Sequence, residues 1–324
     1  MKLGVVSSAL LGFELLEALA YLQGLGVEAI ELGSGGYHVP KFCDLETLLA
    51  DGDARSRWLE AFTQRGLQIS ALAIHGDALS PDPAIAAEYD RQFRQTCELA
   101  ALIGVSRLTL LAGLPEGAPG DSAQCWVVAR FPEFNGRILR WQWEERVLPY
   151  WREHASIAEG HGCRLCFEMH PSDAVYNPAT LLRLRDAIGP VVGCNLDPSH
   201  LFWQGIDPVE VVWVLRDTIY HVHAKDTRVL ERNVRVNGVL EATPGRPLGE
   251  RGWAFRTVGY GHHEAFWRDF VSALRDIGYD DIVSIEHEDE YLDSAEGLEK
   301  ACRFLKPILF EREASPPWWE QQSE

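Results

Sequence analysis

The sequence predicts an α/β fold, a single (β/α)8 TIM barrel with long loops after its fourth and seventh strands, and three observations carry that expectation. Short apolar, β-branched-rich runs alternate eight times with helix-length amphipathic stretches, the pattern of a parallel sheet crossed by helices. Many of the helical stretches stop at glycine, at Gly24, Gly66, Gly104, Gly162, Gly189 and Gly278, where a left-handed residue can close the last turn. Four of the later apolar runs finish in carboxylate and imidazole side chains, and a barrel would bring such strand ends to one mouth.

Taken in order, the strands are expected near Leu3–Val6, Ala29–Leu32, Ile69–Ile74, Arg107–Leu111, Arg164–Glu168, Val192–Leu196, Tyr220–Ala224 and Ile282–Glu286. Helices fit between and after them, around Phe13–Gln23, Ala54–Arg65, Asp82–Ile103, Trp143–Glu159, Pro178–Ala187, Pro208–Thr218, Glu264–Ile277 and Ala295–Leu305. Asn177-Pro178 and Asp207-Pro208 pair an N-cap side chain with a first-turn proline. An open doubly wound sheet is the rival. Its usual mark, a glycine-rich turn after the first strand, is missing; Gly33-Ser34-Gly35-Gly36 follows the second strand, and Pro40 stands where a phosphate-binding helix would run.

No internal boundary interrupts the alternation, so residues 1–310 are expected to form one barrel and residues 311–324 a tail whose Trp318-Trp319 packs on the body or on a partner. Two stretches exceed what connection requires. Leu114–Gln142 carries Trp126, Phe131, Phe134 and Trp141. Asp226–His263 carries a hairpin-like Val236-Asn237-Gly238-Val239 and the run Trp253–Gly261. Both follow strands, which places them over the catalytic face of a barrel, as lid and substrate wall.

The 324 residues, 46% of them hydrophobic, can fill a large core. The chain has 48 acidic and 30 basic residues and a net charge of −18, spread along its length. That balance repels nucleic acid and anionic membrane and suits a neutral small molecule or a cation. Seven cysteines without framework spacing fit a reducing compartment, and Cys163-x-x-Cys166, lacking a second pair, reads as two small buried hydrophobes. Glu14 and Glu17 interrupt the apolar N-terminal stretch before it resembles a signal peptide. No apolar run approaches the ~20 residues of a membrane helix. A cytoplasmic location is expected.

In His221-Val222-His223-Ala224-Lys225-Asp226, period-two alternation puts His221, His223 and Lys225 on one face of a strand. Cys166-Phe167-Glu168-Met169-His170, Cys194-Asn195-Leu196-Asp197-Pro198-Ser199-His200 and Ser284-Ile285-Glu286-His287-Glu288 end in the same style. Glu168, Asp197, His223 and Glu286 would converge at the mouth. Carboxylates with one imidazole and no thiolate suit one divalent metal, Mn²⁺ for preference, with Mg²⁺ or Co²⁺ as alternatives. His200, three residues past Asp197, is placed to meet a substrate hydroxyl. His170 and Lys225, one layer outward, either orient a ligand or touch substrate. His75 and Glu31 would border the far side of the pocket, Arg228 and Arg256 in the second long loop could fix an oxygen-rich ligand, and His221, one layer inward, reads as a core histidine.

These strand-end motifs resemble the xylose isomerase-like barrel superfamily, which holds sugar isomerases and epimerases, inosose dehydratases and the metal-bearing subunit of C-glycoside deglycosidases. The likeness spans nearly the whole chain in element order. In the ketose 3-epimerases of the group one divalent metal is held by Glu, Asp, His and Glu, which the resemblance carries to Glu168, Asp197, His223 and Glu286. It implies that Glu168 and Glu286 exchange the substrate proton and that His200 touches substrate. Arg228 is offset by one position from the sugar-binding arginine of those enzymes. The insert after strand seven looks more like the dehydratase and deglycosidase-type relatives.

The implied function is a sugar isomerase or epimerase acting beside a carbonyl through an enediolate, on a small carbohydrate or cyclitol. The alternatives are a metal-dependent lyase on a 3-keto sugar, glycoside or inosose, and, outside catalysis, a sugar-binding barrel or scaffold subunit. A homo-oligomer is expected, with a hetero-oligomer as the alternative.

Overall fold

The computed structural model describes residues 1–315. Eight parallel strands close into a barrel: β1 (Lys2–Val6), β2 (Ala29–Gly33), β3 (Gln68–Ala73), β4 (Arg107–Leu110), β5 (Arg164–Glu168), β6 (Val192–Leu196), β7 (Ile219–Ala224) and, last in the chain, β10 (Ile282–Ile285). The strands follow chain order around the wall, and β1 closes the ring by pairing with both β2 and β10. The strands are buried almost end to end, as a parallel sheet covered by helices requires.

Local chemistry sets the helix ends. Asp82 accepts from Ala84 N at the start of Pro83–Ile103, and Gly104, at φ +73, ends it. Asn177 and Thr180 form a reciprocal capping box on Pro178–Ile188, a contact whose loss typically costs about 1 kcal/mol. Large aromatics lock the helices to the barrel. Trp151 is fully buried against Phe93 and Phe167 and donates from Nε1 to Ala112 O at 2.9 Å. Truncating it to alanine would cost about 3–5 kcal/mol.

Both long loops carry more structure than expected. The helix placed at Trp143–Glu159 begins at Phe134, passes through a π-helical turn at Gln142–Val147 and continues as Leu148–Gly160. Asn135-Gly136 hides this start because both residues favour turns over helix, and Pro149, which has no N–H to give the preceding turn, falls just after the widened register.

In the second loop, Asn237-Gly238 does not turn a hairpin. It ends a helix, Glu231–Asn237, with Gly238 at φ +74 returning its N–H to Val234 O. The antiparallel pair that does form joins distant segments, β8 (Asp226–Val229) and β9 (Trp253–Arg256). Among the described residues no helix is long and apolar enough to cross a membrane. Residues 311–315 carry no regular structure, and Trp318-Trp319 lie outside the described residues.

Candidate metal centre

The barrel brings the four expected strand-end residues together. Glu168 closes β5, Asp197 follows β6, His223 sits on β7 and Glu286 follows β10; one donor atom from each lies within 4.8 Å of all the others. All four are buried. The bond from Glu286 N to Ala224 O at 3.2 Å carries the β10–β7 ladder one residue further and holds Glu286 at the mouth.

His223 is aimed from both sides. Its Nδ1 lies 3.2 Å from Glu168 Oε2 and 3.3 Å from Glu286 Oε2, and its Nε2 lies 3.0 Å from Glu31 Oε2. Glu31 is fully buried beneath this layer, where it also meets His221 Nε2 at 2.7 Å and the Thr109 hydroxyl at 2.5 Å. It therefore does not border the pocket; it holds the His223 ring from below, and His221 shares that carboxylate as a core residue.

Above this layer, Lys225 is buried with its Nζ 2.9 Å from both Glu286 Oε2 and Glu288 Oε2 and 3.4 Å from Asp197 Oδ2. The Phe255 ring lies 4.6 Å from that ammonium. His200, on a short helix starting at Ser199, lies 3.0 Å from Glu168 Oε1 and 3.5 Å from Asp197 Oδ2. His170 stands at the half-exposed rim with its ring edge-on to His200 at 4.4 Å. His75 reaches Glu168 Oε2 with Nε2 at 3.3 Å.

The electrostatics follow from these contacts. Burial alone would raise the Glu168 carboxyl; contacts from His200, His223 and His75 hold it well below the usual range. Burial would likewise raise Glu286, and Lys225 and His223 pull it down. His223 would be lowered by burial, yet Glu31, Glu168 and Glu286 keep it well above an ordinary imidazole. Asp197 goes the other way: burial raises it against Lys225 and His200. Its Oδ2 is buried and takes no hydrogen bond among the described residues, while Oδ1 accepts from Ser199 N at 2.7 Å.

Three buried carboxylates, one imidazole nitrogen and an unsatisfied oxygen fit a hard or borderline divalent cation, whose oxygen-rich ligand preference matches the set. A metal-binding histidine whose other nitrogen faces a carboxylate is the expected support for such a site. Ser8, Tyr37, His38, His75, Leu111 and the mouth residues above line a cleft of about 240 Å³ over the centre.

Two expected contacts are not in this cleft. On the β8–β9 pair, Thr227 and Phe255 occupy one face and Arg228 and Arg256 the other, because side chains alternate along strands. The inward face delivers Phe255 to Lys225 and His200. Arg228 is exposed and lines a separate groove with Tyr260, His262 and His263. Arg256 donates to Asp289 at 3.1 Å and tethers the pair to the loop after β10.

The first long loop does not line the cleft either. Gln142 Nε2 gathers it by bonding to the carbonyls of Pro115, Glu116 and Cys125. Three neighbours went unassigned in the sequence. Asn195 donates to Glu168 Oε2 at 2.9 Å, and its place two residues before Asp197 was a usable signal. His38 and Phe255 sit in loop and insert, where no periodicity marks a face.

The sequence matches the family described as "Xylose isomerase-like TIM barrel" over residues 19–308. It is 35% identical over 312 residues to the uncharacterized protein YfiH of Bacillus subtilis (strain 168), covering 95% of this chain and 99% of that one. It is 31% identical to an inosose dehydratase of Geobacillus kaustophilus (strain HTA426) over 106 residues, 32% of this chain and 34% of the other. The structure of 3-keto-D-glucoside 4-epimerase, YcjR, from E. coli superposes with a TM-score of 0.63 at 16% identity, covering 95% of this chain and 99% of that one.

Proposed function

The chain belongs to the xylose isomerase-like TIM barrel family, and from that premise we propose that it is a divalent-metal-dependent sugar isomerase or epimerase. The observation that carries this reading is the pair Glu168 and Glu286, both buried, both with their carboxyls held below the usual range by neighbouring cationic groups and each beside His223 Nδ1. Glu168, Asp197, His223 and Glu286 would hold the metal, for which we favour Mn²⁺. When bound, it supplies a Lewis acid that polarises a substrate carbonyl and its neighbouring hydroxyl, making the adjacent C–H acidic.

The protein's own groups account for the proton. One glutamate, as carboxylate, can take the proton from carbon, and its partner, as the carboxylic acid, can return one from the same or the other face. Lys225 and His200 line the cleft and are donors available to the oxygen charge of the enediolate. Phe255 dries one side of Lys225, which strengthens that interaction. The cleft is smaller than the ~300–1,000 Å³ typical for drug-sized ligands and suits one neutral sugar or cyclitol ring. The acidic balance and seven unpaired cysteines support a small-molecule partner and a cytoplasmic setting.

A second reading is a lyase that shares the first proton abstraction and then expels water or an aglycone. The inosose dehydratase among the relatives and the packing of Phe255 against Lys225 and His200 favour it, since apolar cover over these groups keeps water from a reactive enediolate. The test is incubation with Mn²⁺ and a panel of ketoses, inososes and 3-keto-glycosides in deuterated water, followed by NMR. Deuterium at one carbon with the skeleton retained supports the isomerase or epimerase; loss of water or aglycone supports the lyase. If no C–H exchanges in any candidate, the barrel is a binding or scaffold protein and the enzymatic reading fails.

A further inference from the structure

The glycine-rich stretch Gly33–Gly36 has a use other than cradling phosphate. Three of its four amides are already taken: Gly33 N donates to Ser7 Oγ at 2.9 Å, Ser34 N to Ala73 O at 2.8 Å and Gly36 N to Gln92 Oε1 at 2.8 Å. Tyr37 N donates onward to His75 O at 2.6 Å, so the chain leaving β2 lies directly on the end of β3. Only glycine permits this approach. At Gly36, with φ +65, a Cβ would stand 2.1 Å from His75 O, and at Gly33 one would stand 2.8 Å from His38 Cβ.

The close approach delivers His38 to His75. His38 Nε2 lies 2.9 Å from His75 Nδ1, with the rings edge-on at 4.8 Å. His75 Nε2 in turn lies 3.3 Å from Glu168 Oε2. We propose that His38 is a positioning residue: it holds His75 in the orientation and tautomer that present Nε2–H to Glu168. The consequence for turnover rests on the reading of Glu168 as ligand and base, whereas the pairing of the two histidines does not.

A neutral imidazole has one donor and one acceptor nitrogen. If His75 Nε2 were bare, its lone pair would face the Glu168 carboxylate. A hydrogen donated by His38 Nε2 to His75 Nδ1 leaves Nε2 as the nitrogen that carries the hydrogen. His75 is only 6% exposed, and His38 is the sole hydrogen-bond partner of Nδ1 among the described residues. Burial, the main influence on His38, pushes its imidazole down to about 4 and keeps that ring neutral; on His75 burial acts the same way, but the Glu168 carboxylate lifts that imidazole above its ordinary value, so the neutral, single-tautomer His75 belongs to the protein in which a bound cation offsets the carboxylate charge. Glu168 Oε2 is thereby held by His75 as well as by Asn195 Nδ2.

The test compares His38→Leu, which removes the donor and keeps bulk, with His38→Gln, whose amide can still donate. In the Mg²⁺-loaded protein carrying ¹⁵N-histidine, the His75 resonances, assigned with His75→Gln, should show a protonated Nε2 and a bare Nδ1. His38→Leu should mix the tautomers and lower kcat about tenfold with KM within about twofold, a loss of the size expected for a residue supporting a ligand. His38→Gln should restore both. Metal content and thermal unfolding report whether each variant is folded and loaded. Unchanged His75 resonances in His38→Leu overturn the proposal, as does a shifted spectrum with wild-type kcat and KM. The expected spectral change in a protein that turns over no sugar would support the positioning while sinking the proposed function.

Discussion

Glu31 Oε2 stands 3.0 Å from His223 Nε2, on the opposite side of the ring from Glu168 and Glu286. The buried carboxylate orients the imidazole and makes its other nitrogen a better ligand. Glu31→Gln should therefore weaken divalent metal binding by roughly 10–100-fold with the fold intact, measured by metal titration. Glu31→Ala also strands His221 and Thr109, and urea unfolding should show a loss on the order of 3–5 kcal/mol.

Metal uptake should release protons. His223 is held well above an ordinary imidazole by its carboxylate neighbours, after the opposing effect of burial, so the metal-free protein carries a proton that a ligand must shed. Because that pKa is raised, competition by the proton weakens as pH rises, and apparent affinity should increase with pH through the neutral range. Calorimetry in buffers of different ionisation enthalpy checks this; affinity that is flat between pH 6 and 8 with no proton release, a window spanning the ordinary histidine pKa of about 6.5, contradicts it.

Lys225 is the buried counter-charge to Glu286, Glu288 and Asp197. Lys225→Met keeps much of the packing against Phe255 but leaves those carboxylates uncompensated. Once a substrate is in hand, kcat should fall by roughly 10²–10³-fold, the usual loss when a donor to developing oxygen charge is removed. A change confined to KM would place Lys225 in ground-state binding alone.

How far the sequence reached can be seen from particular residues. The eight strands were legible because buried parallel strands and amphipathic crossovers leave strong, regular patterns, and Glu168, Asp197, His223 and Glu286 were legible because they end such strands. Arg228 and Arg256 were misplaced because their faces depend on a pairing between residues 226–229 and 253–256, which no local pattern announces. Glu31 could be located on its strand, yet its depth beneath His223 follows from barrel stagger. The helix beginning at Phe134 was hidden by Asn135-Gly136, whose local preference the tertiary structure overrides.

Asp289 ties the β8–β9 pair to the barrel, accepting from Thr257 N at 2.8 Å, Thr257 Oγ1 at 2.9 Å and Arg256 Nε at 3.1 Å. Asp289→Ala should cost about 1–3 kcal/mol and raise KM by letting Phe255 move. Burial would raise this carboxyl, but the backbone bonds from Thr257 and Tyr291, with the Thr257 hydroxyl and Arg256, set it below the usual range. A depressed pKa contributes stability above the unfolded value of about 3.9 and loses it as pH falls through the lower folded one. The stability gap between wild type and Asp289→Asn should therefore close on acidification below about pH 4, as followed by urea unfolding.

The metal content of the purified, Mn²⁺-exposed protein tests the central claim most directly, because it needs no substrate. Elemental analysis should find one divalent ion per chain, loss of that ion in Glu286→Gln and His223→Ala, and full retention in Arg228→Ala, whose side chain lies outside the cleft. Metal content unchanged in both Glu286→Gln and His223→Ala, or no stoichiometric metal in the wild type, would contradict it.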